Sequence, residues 1–203
     1  MEKEGFAEHV IGIEKMDDNF YEREGLKYDR ITRILDFFKP PELIDWYLRV
    51  GKKEAKRIST TALKIGTNVD EVIKARITGN KVPKIVSPEA INCLNAFDEW
   101  ERNYSLKVSP SNTVFDDGLM MAGTPDLDDG NTVFDIKCSS EIRPAYWLQT
   151  EFYGRCLGVT HKAIIRLDKN LALYEYKKMP LCDEHWEACL GAIKLYRFYK
   201  KSV

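Results

Sequence analysis

The 203-residue sequence predicts a single α/β domain, a central mixed β-sheet flanked by helices, with an N-terminal helical extension. Three observations carry this. Apolar residues up to Tyr104 recur at helical spacing. From Thr113 to Cys138 the chain switches to short strand-like runs separated by turn signals. From Pro144 onward the order is helix, strand, strand, helix. The whole of 1–203 is one domain on this reading, with 1–58 as the helical extension and 59–203 as the core.

Each element has its own signal. Residues 1–27 are polar and weakly patterned and read as an arm. Tyr28 to Phe38 carries Ile31, Ile34, Leu35 and Phe38 on one helical face, and Pro40-Pro41 ends it. Glu42 to Val50 is a second helix, capped by Gly51. A longer helix runs from about Thr60 to Ile77, with Val69, Ile73 and Ile77 facing the core, and stops at Gly79-Asn80. Ser87 caps a helix with Pro88 in its first turn, which continues to Tyr104. Thr113–Phe115, Leu119–Pro125 and Thr132–Cys138 are strands, separated by Asp116-Asp117-Gly118 and by Asp128-Asp129-Gly130-Asn131. Pro144–Leu157 is a helix ended by Gly158. His161–Leu167 and Leu171–Tyr176 are strands, and Cys182–Tyr199 is a closing helix.

Composition narrows the function. Hydrophobic residues make up 44% of the chain, enough for a sizeable core, but no apolar run is long enough for a membrane span. The N-terminus lacks the basic flank and apolar stretch of a secretory signal. Five scattered cysteines do not make a disulfide framework, so the expected compartment is a reducing cytoplasm. A net charge of −1 gives no global attraction to nucleic acid, which leaves local patches to supply phosphate contacts. Lys52, Lys53, Lys56 and Arg57 form one such run, and Lys194, Arg197, Lys200 and Lys201 another. Taken alone, each is an ordinary solvated helix face.

The chemistry concentrates in Gly123-Thr124-Pro125-Asp126 and Asp135-Ile136-Lys137. Two carboxylates on neighbouring strands can converge on one hard cation such as Mg²⁺ or Mn²⁺. Lys137 stands two residues past Asp135, so in a strand the two side chains share a face. An ammonium beside a carboxylate-held cation can orient water and offset charge developing on a phosphate. A polar hairpin with a solvent-facing Asp and Lys would show the same D-x-K. Here Val133, Phe134 and Ile136 surround Asp135, and an acid in an apolar run needs compensation. Gln149 and Tyr153 share a helix face four residues apart, just after that strand. His9, His161 and His185 show no ligand spacing.

The ordered set G-T-P-D, D-I-K and Q-x3-Y resembles the RecB-type branch of the PD-(D/E)XK nucleases, to which lambda exonuclease-like phage enzymes are related. The resemblance covers roughly residues 60–167. It implies a restriction-endonuclease-like core, with Asp126 and Asp135 as metal ligands, Lys137 as the catalytic lysine, and the backbone carbonyl of Ile136 completing the metal shell. Gln149 and Tyr153 would position the site or the DNA. Gly66 followed by Asp70 resembles the family's glycine and histidine ligand, with aspartate in place of histidine, an adequate ligand for Mg²⁺ or Mn²⁺. The family's glutamate on the preceding strand has no counterpart in residues 108–113. Some relatives carry an iron–sulfur cluster on four cysteines, one N-terminal and three grouped near the C-terminus; here no cysteine precedes Cys93 and Cys182 and Cys189 are only a pair, so none is expected.

The function so implied is hydrolysis of DNA from an end, in phage-type recombination or processing. It would take place in the cytoplasm of a bacterial or phage-infected cell, with a recombination protein as further partner. Lys52, Lys53, Lys56 and Arg57 would line the DNA path. The alternatives are a catalytically degenerate DNA-binding or interaction protein on the same fold, and a site-specific endonuclease.

Overall fold

The computed structural model describes residues 14–17, 20–105 and 107–201, the first stretch for its backbone only. In chain order it holds β1 (Glu14–Asp17), β2 (Phe20–Arg23), β3 (Leu26–Arg30), α1 (Ile31–Phe37), α2 (Pro41–Val50), α3 (Lys52–Thr78) and α4 (Pro88–Tyr104). Then come β4 (Ser109–Pro110), β5 (Val114–Asp116), β6 (Met121–Gly123), β7 (Leu127–Asp128), β8 (Thr132–Lys137), α5 (Pro144–Leu157), β9 (His161–Leu167), β10 (Tyr174–Pro180) and α6 (Asp183–Lys201).

The strands form two mixed sheets of five, ordered β1-β2-β3-β6-β5 and β10-β9-β8-β7-β4. In the second sheet β8 and β9 run parallel, joined by α5, while the β9–β10 and β7–β8 pairs are antiparallel. The single α/β domain is therefore as expected, but the one central sheet is two. The predicted strand Leu119–Pro125 divides at Thr124-Pro125, where the chain leaves β6 in one sheet and enters β7 in the other. A proline has no N–H for a ladder, which makes that crossing a natural break.

Local chemistry explains the element ends. Asp129 Oδ1 accepts from the N–H groups of Asn131 and Thr132 (2.9 and 2.6 Å), and Gly130 takes φ +82°, so the β7–β8 turn closes tightly. Ser87 Oγ accepts from Ala90 N at 3.3 Å, with Pro88 in the first turn of α4. Gly79 ends α3 in the left-handed region.

Two of the three buried clusters among the described residues pack helices on the second sheet. Val69, Val72 and Ile73 of α3 and Cys93, Leu94, Phe97 and Trp100 of α4 pack on Leu127, Phe134, Ala163 and Ile165 of the second sheet. On that sheet's other face, Phe152 and Tyr153 of α5, Cys189, Ile193 and Tyr196 of α6, and Ile31 and Ile34 of α1 surround Val133.

The N-terminal segment departs most from expectation. Within residues 1–27, the described part is 14–17 and 20–27, which hold β1, β2, a turn at Glu24-Gly25 and the start of β3; the rest of the predicted arm, and His9, lie outside the described residues. Tyr28 does not begin a helix. It lies in β3, fully buried, with its ring edge-on to Phe115 and its hydroxyl donating to Asp117 (2.7 Å). The helix begins at Ile31, so the extension is strand and helix rather than helix alone. The expected boundary between residues 58 and 59 falls inside α3, which starts at Lys52 because Gly51 both ends α2 and precedes α3. The last strand also shifts, from Leu171–Tyr176 to Tyr174–Pro180. Asp168 Oδ1 accepts from Asn170 N and Leu171 N and draws those residues into a turn. Among the described residues no helix is long and apolar enough to cross a membrane.

Candidate metal and phosphate site

Asp126 sits at the crossing between the sheets, Asp135 and Lys137 on β8, Asp70 on α3, and Gln149 and Tyr153 on α5. Asp70, Asp126, Gln149 and Tyr153 line one cleft of about 420 Å³. The β8 alternation holds: the Lys137 ammonium lies 2.7 Å from Asp135 Oδ2. Asp126 Oδ2 accepts from the backbone N–H of Ile136 at 2.6 Å. That bond ties the crossing to the peptide between Asp135 and Lys137, so the Ile136 peptide does reach Asp126, but it is the N–H that makes the contact.

Asp135 is 1% exposed. Burial pushes its carboxyl up to about 7, the Lys137 charge opposes the shift, and Asp126 adds to it. Burial also works against the Lys137 ammonium, but Asp135 and Asp126 outweigh it and hold its pKa above the ordinary lysine value. The Asp70 carboxyl is raised by burial and then by the charge of Asp126, against the pull of Lys74. The three carboxylates thus feel one another, but only Asp70 and Asp126 line the cleft; Asp135 and Lys137 are not among its lining residues. Gln149 Nε2 donates to Asp135 Oδ1 (3.0 Å) and to the Tyr153 hydroxyl (3.1 Å).

The glycine of G-T-P-D has a direct reason. A Cβ on Gly123 would stand 2.5 Å from Tyr153 Cε1 and 3.1 Å from Ile31 Cγ2, so the Tyr153 ring rests on bare backbone. Gly66, by contrast, has open space where a Cβ would be.

The donor set suits a hard divalent cation. All three acids offer oxygen, and Asp70 Oδ1 and Asp135 Oδ2 are buried without accepting a hydrogen bond, each met only by an ammonium ion pair. Asp116 and Asp117, the acids nearest the absent strand glutamate, are used elsewhere: Asp116 Oδ1 accepts from Leu119 N, and Asp117 pairs with Arg23 and Tyr28.

Other predicted residues lie apart. Lys52, Lys53, Lys56 and Arg57 are exposed at the start of α3, and Arg57 is engaged by Glu54 at 2.6 Å. At about 1.5 Å per helical residue they stand roughly 20 to 27 Å from Asp70 along the helix. Sequence reasoning passed over Lys74, Arg30, Thr32, Tyr21, Thr113 and Thr124, which also line the cleft. Tyr21 and Arg30 lie in β2 and β3, where the sequence predicts an arm and a helix, and Thr32 lies on the predicted helix α1.

A second polar group lies outside this cleft. Glu151 and Lys162 are fully buried, with Lys162 Nζ 2.5 Å from Glu151 Oε2 and also against His185 Nδ1. Cys182 N and Arg155 Nε donate to Glu151 as well. Glu151, Cys182 and His185 place ligand-type atoms within 4.8 Å of one another. The Lys162 ammonium already serves as the cation among them, and the network pins the start of α6 to α5 and β9. Sequence spacing shows nothing of it. All five cysteines are free.

No protein-family model and no curated protein matches the sequence. Solved structures share its fold, two of them of one enzyme. One is an alkaline exonuclease (LHK-Exo) from Laribacter hongkongensis, at a TM-score of 0.50 and 12% identity over 86% of this chain and 88% of that one. The other is LHK-Exo in complex with dAMP, at 0.50 and 13% over 85% and 87%. The α/β fold that carries this cleft is thus also the fold of an exonuclease.

Proposed function

We propose that this protein is a divalent-metal-dependent deoxyribonuclease that degrades DNA from an end. The observation that carries the reading is the meeting of Asp70 and Asp126 in one cleft, within electrostatic reach of the buried Asp135, with the Lys137 ammonium against Asp135. Asp126, Asp135 and Asp70 would hold Mg²⁺ or Mn²⁺, with the Ile136 peptide beside them, and the ion would supply Lewis-acid stabilisation of charge on a phosphoryl oxygen. Lys137 stays protonated at neutral pH and presents N–H donors where a water or a developing anion would sit. Gln149 fixes the Asp135 carboxylate, and Tyr153 backs Gln149. The role of Lys52, Lys53, Lys56 and Arg57 in this reading is to follow the backbone of DNA leaving the cleft, contacts that carry no sequence information.

Attack from an end is favoured by two considerations. The fold is shared with an alkaline exonuclease, and among the described residues there is no separate module for reading bases in a groove. A recombination protein remains the further partner this role calls for. The test uses one DNA in two forms, linear and covalently closed, with Mg²⁺. Loss of the linear form with the circle intact is the expected result, and discrete fragments from the circle would instead mean a site-specific endonuclease. The absent strand glutamate favours a second reading, a non-cleaving DNA-binding protein on the same fold; binding of both forms with no cleavage in Mg²⁺ or Mn²⁺ would establish it.

A further inference from the structure

Lys74 lies one helical turn past Asp70 on α3. Its Nζ donates to Asp70 Oδ2 at 2.9 Å and stands 4.0 Å from Asp126 Oδ1. The first contact alone would be an ordinary i,i+4 helix pair, of little consequence. The second is different, because Asp126 belongs to the crossing between the sheets. One ammonium therefore lies within ion-pair distance of two carboxylates brought together from separate elements, both of which the proposed function assigns to a metal. Asp70 Oδ1 is buried, and the Lys74 ammonium, also 2.9 Å from it, is the partner it has there. Lys74 itself is 28% exposed and lines the cleft, so its four-carbon stem can swing without leaving it.

We infer that Lys74 is the counter-cation of the metal site: it holds Asp70 and Asp126 in the absence of metal, yields their oxygens to the divalent ion, and then binds the phosphate backbone of the DNA. The inference rests on the metal-dependent reading. Its physics is competition. An ammonium and a dication need the same oxygens and repel each other at contact distance, while an ammonium freed from its carboxylates beside the cleft is well placed for a phosphodiester oxygen.

Two measurements with opposite expected signs test this. Mn²⁺ binding is read by the loss of the free-ion electron paramagnetic resonance signal, and affinity for a labelled duplex by fluorescence anisotropy in Ca²⁺. Lys74→Gln should bind Mn²⁺ more tightly, on the order of tenfold, because the competing charge is gone. The same variant should bind DNA several-fold more weakly, with a shallower salt dependence. Lys74→Arg, which keeps the charge, should stay close to wild type in both. A purely structural ion pair would weaken Mn²⁺ binding or leave it unchanged, and either result in Lys74→Gln overturns the inference. Asp126→Asn separates the two levels. If wild type binds Mn²⁺ and Asp126→Asn does not, the metal reading stands and Lys74 is judged by its own variants. If wild type binds no Mn²⁺, both fall together. Lys74→Met, retaining the stem's packing, repeats the test should Lys74→Gln fold poorly.

Discussion

Gln149 donates its side-chain amide to Asp135 Oδ1 across 3.0 Å, from α5 to β8, and the same nitrogen reaches the Tyr153 hydroxyl at 3.1 Å. A buried carboxylate held this way keeps one orientation, which a metal ligand needs. Removing a partner that orients a ligand typically costs about 10- to 100-fold in metal affinity or activity. Gln149→Ala should therefore fold, bind Mn²⁺ more weakly and lose cleavage by that order. Wild-type Mn²⁺ affinity in this variant would show that Gln149 only packs.

The two glycines of the motif region should respond in opposite ways. At Gly123 a methyl group meets the Tyr153 ring at 2.5 Å, and Tyr153 is buried between α1 and β8. Gly123→Ala should cost about 1–3 kcal/mol in urea unfolding through overpacking, and should impair cleavage by moving the ring that backs Gln149. At Gly66, inside α3, a methyl meets nothing. Gly66→Ala should stabilise by roughly 0.5–1 kcal/mol through helix propensity. Equal destabilisation of both would contradict the packing described.

Asp135 gives the metal-free protein a pH signature. Its carboxyl titrates at about 7 in the fold, raised by burial against the opposing charge of Lys137, and near ~3.9 when unfolded. Between those values the folded state holds the extra proton, so stability falls as pH rises from about 4 to about 7 and is level above that. The Asp70 shift has the same sign. The lowered carboxyls of Asp168 and Glu175 act with the opposite sign, at more acidic pH. Urea unfolding in EDTA at pH 5 and pH 8 should show wild type losing stability, on the order of a few kcal/mol at most. Asp135→Asn should show much less change. Since a metal requires the ionised carboxylate, Mn²⁺ affinity should rise over the same interval. A pH-independent difference between wild type and Asp135→Asn would count against the buried acid.

The strands around the site were legible because their turns are spelled out in short polar side chains. Asp128-Asp129-Gly130-Asn131 fixes the turn before Thr132–Lys137, and the two-residue period then puts Asp135 and Lys137 on one face. Gln149 and Tyr153 followed from helical spacing. Tyr28 misled because the spacing of Ile31, Ile34 and Leu35 extends backward over it, and only its pairing with Phe115, far along the chain, makes it a strand residue. Asp70 was suggested only by the family resemblance, which expects a metal ligand four residues after Gly66. Lys74 was not, since acid and lysine four apart is common on any solvated helix. Glu151 and Lys162 lie on different elements, and nothing in either segment announces that they meet, buried, behind α5. Local signals gave turns and faces, whereas long-range pairing decided which polar residues are buried together.

The central claim is metal-assisted phosphodiester hydrolysis by Asp126, Asp135 and Lys137. It is tested most directly by release of acid-soluble nucleotide from linear duplex DNA in Mg²⁺ or Mn²⁺, with EDTA as control. Wild type should degrade the DNA and EDTA should stop it. Asp135→Asn and Lys137→Ala should melt cooperatively yet lose on the order of a thousandfold in rate, the equivalent of several kcal/mol of transition-state stabilisation. Wild-type rates in either variant, or an inert wild type in both metals, would contradict it.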